Sequence, residues 1–204
     1  MIYSLSEIDA NCKKAARGAG LSWGYAEEAG KAARWLAAHQ LPGVALLADY
    51  LTLRQENPED YLGSYPRCPI LTGARLCDAG HDAMEQSIVI EHVVYPLLLL
   101  PSLAQLSADA GVALRVQWTD THITCRDGEI CIKEDESIAT DEATNINCNW
   151  LENEFAPMRT SFVRDKGAVG QFVEGEYWAA LESLAHLTYV PATEASRRGA
   201  GPAD

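Results

Sequence analysis

Two short stretches at opposite ends of the chain concentrate residue types that could bind and transform a small charged molecule. Residues 15–36 read AARGAGLSWGYAEEAGKAARWL, and residues 188–201 read TYVPATEASRRGAG. Both combine arginine and glutamate with a Gly-Ala-Gly turn. An arginine guanidinium can bind a carboxylate through two parallel hydrogen bonds, and a glutamate or histidine can move a proton. These stretches therefore favour a pocket for a small anion.

The candidate residues fall into a proton-transfer group and a substrate-binding group. The proton-transfer candidates are Glu27, Glu28, Glu194 and His186. The substrate-binding candidates are Arg17, Trp23, Tyr189, Thr193, Ser196 and Arg197. For Arg17 an alternative stays open, because an Arg–Glu ion pair across a turn commonly stabilises structure without taking part in chemistry. For His186 the alternative is an ordinary surface or hydrogen-bonded histidine.

A separate acidic cluster raises the question of a metal site. Asp78, His81, Asp82 and Glu85 fall three or four residues apart and could share one face of a helix. Their spacing matches no recognised zinc motif, and a solvated acidic face is the commoner explanation. The sequence also lacks a P-loop, a dinucleotide fingerprint, G-x-S-x-G and H-E-x-x-H. We therefore expect neither a metal nor a cofactor.

Charge and hydropathy exclude several classes of partner. The formal net charge is -13 and the sequence pI is about 4.7, which argues against a broad basic surface for nucleic acid or an anionic membrane. The N-terminus, MIYSLSEID, lacks the basic and apolar regions of a signal peptide. The longest apolar run, Val93 to Leu100, is interrupted by Pro96 and is too short to span a bilayer. We expect a cytoplasmic protein.

Hydrophobic periodicity predicts a helical first half and a mainly β second half. Caps and apolar spacing predict helices over 4–16, 23–39, 44–53, 74–86, 102–110 and 176–188, with a long loop over 54–67. Period-two alternation and turn residues predict strands over 112–118, 144–150, 160–164 and 170–173 and a hairpin over 123–133. For 87–95 a strand and a buried helix both fit the pattern.

This order of elements indicates a single α+β domain spanning residues 1–204. We expect helices up to about residue 111 to pack on an antiparallel sheet formed by residues 112–174. A helix and tail over 175–204 would close the fold.

The predicted hairpin also bears on the cysteines. Asp127 and Gly128 suit a two-residue turn, which would set Cys125 opposite Ile130 and Thr124 opposite Cys131. The two cysteines would then point to opposite faces of the sheet and could not bond to each other. We expect the six cysteines to be mostly reduced and to act as small hydrophobic residues.

The two terminal stretches also carry a resemblance. The patterns AARGAGxxWGxAEEAG near the N-terminus and TYVPATExSR near the C-terminus resemble an uncharacterised bacterial family of about this length. The resemblance extends over the whole chain and is most specific at its two ends. It implies that the two ends belong together, and it implies no activity.

Two classes of function follow from these observations. The first is a small cofactor-independent enzyme of isomerase, lyase or hydrolase type, or a ligand binder, acting on a carboxylate-bearing metabolite. The alternative is a non-catalytic accessory subunit that docks on a partner enzyme through exposed tryptophans; self-association is also open. A shared concave pocket would favour the first class, and a flat exposed patch would favour the second. In the first case Arg17, Glu27 and Glu28 would face Glu194, Ser196 and Arg197 across one pocket.

Replacement of Arg17 by lysine tests the anion-binding interpretation. Lysine keeps the charge but does not reproduce the planar fork of the guanidinium. We expect Arg17→Lys to weaken ligand binding by about 2 kcal/mol if a charge-assisted hydrogen bond is lost, and to affect stability less. Thermal unfolding with and without small carboxylates measures both effects. A variant that unfolds would instead identify Arg17 as a structural staple of the turn.

Overall fold

The computed structural model describes residues 1–58, 67–80, 87–132, 144–151, 162–163 and 169–189 of the chain. Within these ranges the helices are α1 (Leu5–Gly18), α2 (Trp23–Ala38), α3 (Gly43–Glu56), α4 (Pro69–Ala79), α5 (Leu100–Ala110) and α6 (Gly175–His186), with a 3-10 turn at Pro96–Leu99. The strands are β1 (Ile2–Ser4), β2 (Ser87–Val93), β3 (Ala113–Trp118), β4 (Thr121–Arg126), β5 (Glu129–Ile132), β6 (Thr144–Leu151), β7 (Phe162–Val163) and β8 (Gly170–Phe172).

The strands form two antiparallel sheets. The larger sheet has the order β2-β6-β3-β4-β5-β7, and β1 pairs with β8 in a separate two-stranded ribbon. Every strand pair among the described residues is antiparallel. The predicted α+β class is confirmed, with helices first, an antiparallel sheet in the second half and a closing C-terminal helix. Buried hydrophobic residues from the helices and from the larger sheet form one continuous core.

Helix α1 begins at the predicted capping box. The Ser4 Oγ accepts a hydrogen bond from the backbone N–H of Glu7, and a Glu7 carboxylate oxygen accepts the N–H of Ser4 at 2.8 Å. This reciprocal pair satisfies two backbone donors that a helix start leaves open. The cap therefore fixes the first residue of α1. Through the helical period, it also fixes which side chains of α1 face the neighbouring helices.

Helix α1 packs against both α2 and α6, and small residues permit the close approach. On α2, Gly30 faces Asp9, whose side-chain oxygen would lie 2.7 Å from a Cβ placed on that glycine. At the other end of α1, a Cβ on Gly18 would collide with the carbonyl oxygen of Leu184 in α6. Glycine is thus required at two contact points of α1.

Helices α1 and α6 run in the same direction. Tyr3, just before α1, stacks on Trp178 near the start of α6, with ring centroids 3.6 Å apart and planes at 11°. Gly18, at the end of α1, lies against Leu184 near the end of α6. These two contacts align the helices along their lengths.

The predicted helix over 74–86 is wrong at its start. Helix α4 begins at Pro69, because the Cys68 Sγ caps it by accepting the N–H of Leu71 at 3.5 Å and proline is favoured in the first turn. The buried Tyr50 hydroxyl in α3 also donates to Cys68 Sγ, at 2.8 Å. This cysteine cap joins two helices, and nothing in its local sequence distinguishes it from an ordinary core cysteine. Helix α4 ends at Ala79, before Gly80 at φ 70°.

Other boundaries also differ from the predictions. Of the two structures left open for residues 87–95, the strand is present, over Ser87–Val93, so one strand of the larger sheet precedes Gly111. Helix α3 extends to Glu56, and α5 begins at Leu100, two residues earlier than predicted. Strand β1 was not predicted, because three residues are too few to show a period. The predicted loop at 59–66 and the end of the predicted helix at 81–86 lie outside the described residues.

The predicted hairpin register is confirmed. Cys125 pairs with Ile130 and Thr124 pairs with Cys131 across β4 and β5. Asp127 and Gly128 both have positive φ, 51° and 77°, as a mirror-image two-residue turn requires. The six cysteine thiols are free.

No helix in the part of the chain that the structure describes combines the length and apolar character needed to cross a membrane.

The contact between Gly18 and α6 leads to a stability prediction. Gly18→Ala forces a methyl group against the Leu184 backbone, so we expect it to lower the free energy of unfolding by about 1–3 kcal/mol, as overpacking does. The matched control is Gly24→Ala in α2, where a Cβ meets nothing within 4 Å. That variant should gain up to about 1 kcal/mol from helix propensity. Urea unfolding of both variants measures the difference; equal stability would show that α6 does not press on α1.

Candidate functional site

A cleft of about 260 Å³ lies between the parallel helices α1 and α6. Its walls consist mainly of polar and charged side chains over an aromatic and alanine base. The lining residues are Glu7, Ala10, Asn11, Lys14, Trp178, Glu182, Ala185, His186 and Tyr189. The cleft is open to solvent and large enough for a small metabolite.

The α1 wall follows from helical spacing. Glu7, Asn11 and Lys14 recur at four- and three-residue intervals and so lie on one face of the helix. The buried residues Ile8 and Cys12 lie beside this polar stripe and face the core. One face of α1 therefore packs in the core, and another face lines the cleft.

The α6 wall likewise follows from helical spacing. Trp178, Glu182 and His186 are spaced four residues apart and line the cleft in that order. The Trp178 Nε1–H donates to Glu182 Oε1 at 2.9 Å. Trp178 is only 9% exposed, and its stacking on Tyr3 holds the indole in place. Glu182 is thus oriented by a rigid donor.

In the cleft, the carboxylate acceptors have hydrogen-bond donors, whereas two of the donors have no partner among the described residues. The Glu7 carboxylate accepts from Ser4 N and Oγ, and Glu182 accepts from Trp178. Asn11 Nδ2 is buried and has no hydrogen-bond partner among the described residues. Lys14 likewise has no ion-pair or hydrogen-bond partner within the described ranges. An unsatisfied buried donor costs about 1–3 kcal/mol. The exposed Lys14 ammonium is the donor on this wall with which a ligand acceptor could pair.

Two of the predicted site residues meet at one end of the cleft. The rings of His186 and Tyr189 pack edge to face, with centroids 5.2 Å apart. Both side chains are exposed, and Tyr189 is 56% exposed. His186 also occupies the last turn of α6.

Arg17 and Trp23 lie at the turn between α1 and α2. The Arg17 Nη1 donates to the carbonyl of Leu21 at 2.9 Å, and its guanidinium lies over the Trp23 ring, 5.4 Å from the centroid. Trp23 itself is 57% exposed. Both contacts close the Gly-containing turn, so Arg17 has a structural role here.

The structure pairs the two α2 glutamates with lysines. Glu27 binds Lys13 across the α1–α2 contact, and Glu28 binds Lys31 at 2.7 Å. The hydrogen bond from Lys13 holds the pKa of Glu27 below its usual value. Neither glutamate forms the Arg17 ion pair that was one interpretation of this turn, and neither lines the α1–α6 cleft.

Several predicted residues lie outside the described part of the chain. These are Thr193, Glu194, Ser196 and Arg197 of the second stretch, and His81, Asp82 and Glu85 of the acidic cluster. The predicted pocket between Arg17 and Arg197 therefore stays a prediction. Asp78 is an exposed residue near the end of α4. Within the ranges described, no three His, Cys, Asp or Glu side chains come together as a metal site.

Sequence reasoning missed the α1 half of this cleft. Glu7 was interpreted only as part of a cap, and Asn11 and Lys14 were assigned no role. The available signal was the polar stripe at helical spacing on α1. Such a stripe is indistinguishable from a solvated helix face until a second helix is known to lie beside it.

Comparison with known proteins adds a family match without an activity. A family model described as "Protein of unknown function (DUF3726)" matches residues 3–78. This confirms the resemblance to an uncharacterised family for the N-terminal part of the chain, including the first stretch. The match contains the α1 wall of the cleft but not the α6 wall. No curated protein and no solved structure matches the chain.

The cap at the rim of the cleft predicts a pH effect on stability. Hydrogen bonds from the Ser4 side chain and backbone hold the pKa of Glu7 below its ordinary value. A carboxyl whose pKa is lower in the folded state stabilises the fold above its unfolded pKa, and this contribution is lost as the pH falls through the folded pKa. Glutamine keeps the capping geometry without the charge.

We therefore expect Glu7→Gln to melt below the native protein at pH 7, with the difference shrinking as the pH is lowered past about 4. Melting temperatures between pH 7 and pH 3 measure this. The exposed Glu176→Gln is the matched control and should show a smaller change. A Glu7→Gln difference that is constant with pH would contradict the assigned role.

Proposed function

We propose that the α1–α6 cleft binds a small carboxylate-bearing metabolite and that His186 exchanges a proton with it. In this proposal the protein is a cofactor-independent enzyme of isomerase, lyase or hydrolase type. The observation that supports it most directly is that an exposed ammonium group on α1, from Lys14, and an imidazole on α6, from His186, line the same cleft.

The arrangement of charges supports an anionic ligand. Lys14 offers an exposed ammonium group, and Asn11 lies on the same helix face. A carboxylate placed on Lys14 would accept a charge-assisted hydrogen bond. Both cleft glutamates already have internal donors, so they do not compete for Lys14 through a direct contact.

The position of His186 supports a role in proton transfer. Imidazole changes its charge near neutral pH, and this one borders the cleft beyond Lys14 and beside Tyr189. A ligand carboxylate on Lys14 would bring its neighbouring carbon or heteroatom toward the ring. Arg17, one turn after Lys14 on α1, adds positive potential at the same end.

Binding can be tested by thermal shift with short carboxylates such as acetate and hexanoate. Ligands that bind the native state raise the melting temperature. We expect Lys14→Gln and Asn11→Asp to abolish the shift, because one removes the ammonium and the other places a carboxylate where the amide N–H was. The matched control is Lys31→Gln on α2, whose ammonium binds Glu28 outside the cleft.

Proton transfer needs its own readout. In D₂O, we expect a bound 2-oxo carboxylate such as pyruvate, whose ketone stabilises an enolate, to exchange its methyl hydrogens faster with the protein than without it, measured by proton NMR. We expect His186→Gln to stop this acceleration without abolishing binding. If carboxylates bind but no hydrogen exchange occurs, the protein is a ligand binder and the enzymatic part of the proposal is wrong. Absence of any binding would overturn the proposal and favour the alternative of a docking subunit.

A further inference from the structure

We infer that the two-stranded ribbon of β1 and β8 is a self-association surface, on which a second copy of this chain packs face to face. The inference is independent of the proposed function, because the ribbon contributes no residue to the lining of the cleft. It rests on the place where exposed apolar side chains collect, on the backbone groups of the ribbon and on the area that a dimer needs.

Half of the exposed large hydrophobic side chains among the described residues lie on this ribbon or directly beside it. Eight such side chains are exposed, and four of them are Met1 (76%), Ile2 (78%), Val169 (87%) and Phe172 (67%). Isolated exposed hydrophobic residues are ordinary, but a contiguous group of them commonly marks a contact surface. The ribbon is therefore the strongest apolar patch in the described part of the chain.

The register of the ribbon joins two of these side chains into one platform. Ile2 and Phe172 lie directly opposite each other on the outward face. Met1 and Val173 exchange both backbone hydrogen bonds, at 2.8 Å each, so the next pair along the strands is a non-hydrogen-bonded pair. Side chains lie closest in such pairs, so Ile2 and Phe172 form an apolar platform, which Met1 and Val169 flank at its two ends.

The inner face of the ribbon is already bound to the rest of the fold. Tyr3 stacks on Trp178, and the Gln171 Nε2 donates to the carbonyl of Leu41 at 2.8 Å. These contacts hold the platform in place before a partner arrives, which lowers the conformational entropy that association costs.

The edges of the ribbon are poorly suited to an extended peptide that would add a strand. In the same alternation, the backbone groups of Ile2 and Ser4 point to the open edge of β1. The Ser4 N–H is already bound to Glu7 at 2.8 Å, and on β8 the Gly170 carbonyl accepts from Gln40 Nε2 at 3.4 Å. Few backbone groups are left to pair with a strand, so the partner packs on the apolar face.

The area of this face favours a second copy as the partner. Four side chains of this size with these exposed fractions present on the order of 500 Å² of apolar surface. Contact between two identical patches would bury about twice that area, which reaches the lower bound of about 1,000 Å² for a specific interface. A two-fold dimer uses the same residues on both subunits, so the second copy brings an equal patch.

Charge predicts how salt affects this dimer. The exposed carboxylates of Glu7, Glu174 and Glu176 lie within a few residues of the ribbon, and each copy has a net charge of -13. A two-fold contact brings these like charges closer together. Salt screens the repulsion and leaves the apolar contact intact, so we expect the dimer to become tighter as salt is added.

Sedimentation velocity of the full chain tests the proposal between about 1 and 100 μM protein, the range in which a small apolar interface dissociates. We expect a monomer–dimer equilibrium whose dissociation constant falls by a factor of about three between about 50 mM and 500 mM NaCl.

Variants locate the interface. We expect Ile2→Ser and Phe172→Ser each to raise the dissociation constant at least about tenfold, as loss of a central apolar contact does. Both side chains are exposed, so the melting temperatures should stay near that of the native chain, and the two variants test the platform from separate strands. The matched control is Val89→Ser, because Val89 is 57% exposed but belongs to the larger sheet. It should dimerise as the native chain does.

Four results would overturn the proposal. A chain that stays monomeric over the whole range at the higher salt would leave the platform to a partner of another kind. A dimer that both platform variants leave unchanged would use another surface. A dimer that salt weakens would be held by charge, and assembly that continues beyond the dimer would need a head-to-tail contact. A dimer weakened by the two platform variants and not by Val89→Ser supports the proposal.

Discussion

The close parallel contact of α1 with α6 is the constraint on which the site depends. Gly18 allows the end of α1 to approach the backbone of Leu184, and the Tyr3–Trp178 stack brings the other ends together. The ribbon of β1 and β8 supports this arrangement, because the N-terminal ammonium of Met1 donates to Val173 at 2.8 Å. The chain start is thereby anchored directly before α6.

The cleft is formed by helices α1 and α6 and not by the larger sheet. Helix α6 packs on α1 and α3, whereas the sheet packs mainly against α5. The face of β6 that bears Asn145 and Asn147 is exposed, and Ile146 and Cys148 on its other face are buried. The sheet thus completes the core behind the helices and leaves the helix pair free to present polar side chains. Rigid helices hold such side chains more exactly in place than loops do.

Local residue patterns are enough to predict the fold class and much of the secondary structure. The capping box at Ser4, the turn at Asp127–Gly128 and the alternation of β6 depend on residues close together in the chain, and each was predicted correctly. His186 and Tyr189 were also identified as candidates from sequence, since they adjoin a stretch rich in polar and small residues. The start of helix α4 was not predicted correctly, because a cysteine is not a typical N-cap residue. Strand β1 was not predicted, because its partner β8 lies at the other end of the chain.

The partners of the candidate polar residues depend instead on how the helices pack together. In the folded protein, Glu27 and Glu28 form ion pairs with lysines, and Arg17 donates a hydrogen bond within its own turn. Asn11 and Lys14 line the α1 wall of the cleft. The physical reason is that local spacing fixes which side chains share a helix face, but not which helix that face meets. Contacts between residues as distant in the chain as Gly18 and Leu184 depend on the packing of the whole core, and that packing set the direction of α6 against α1.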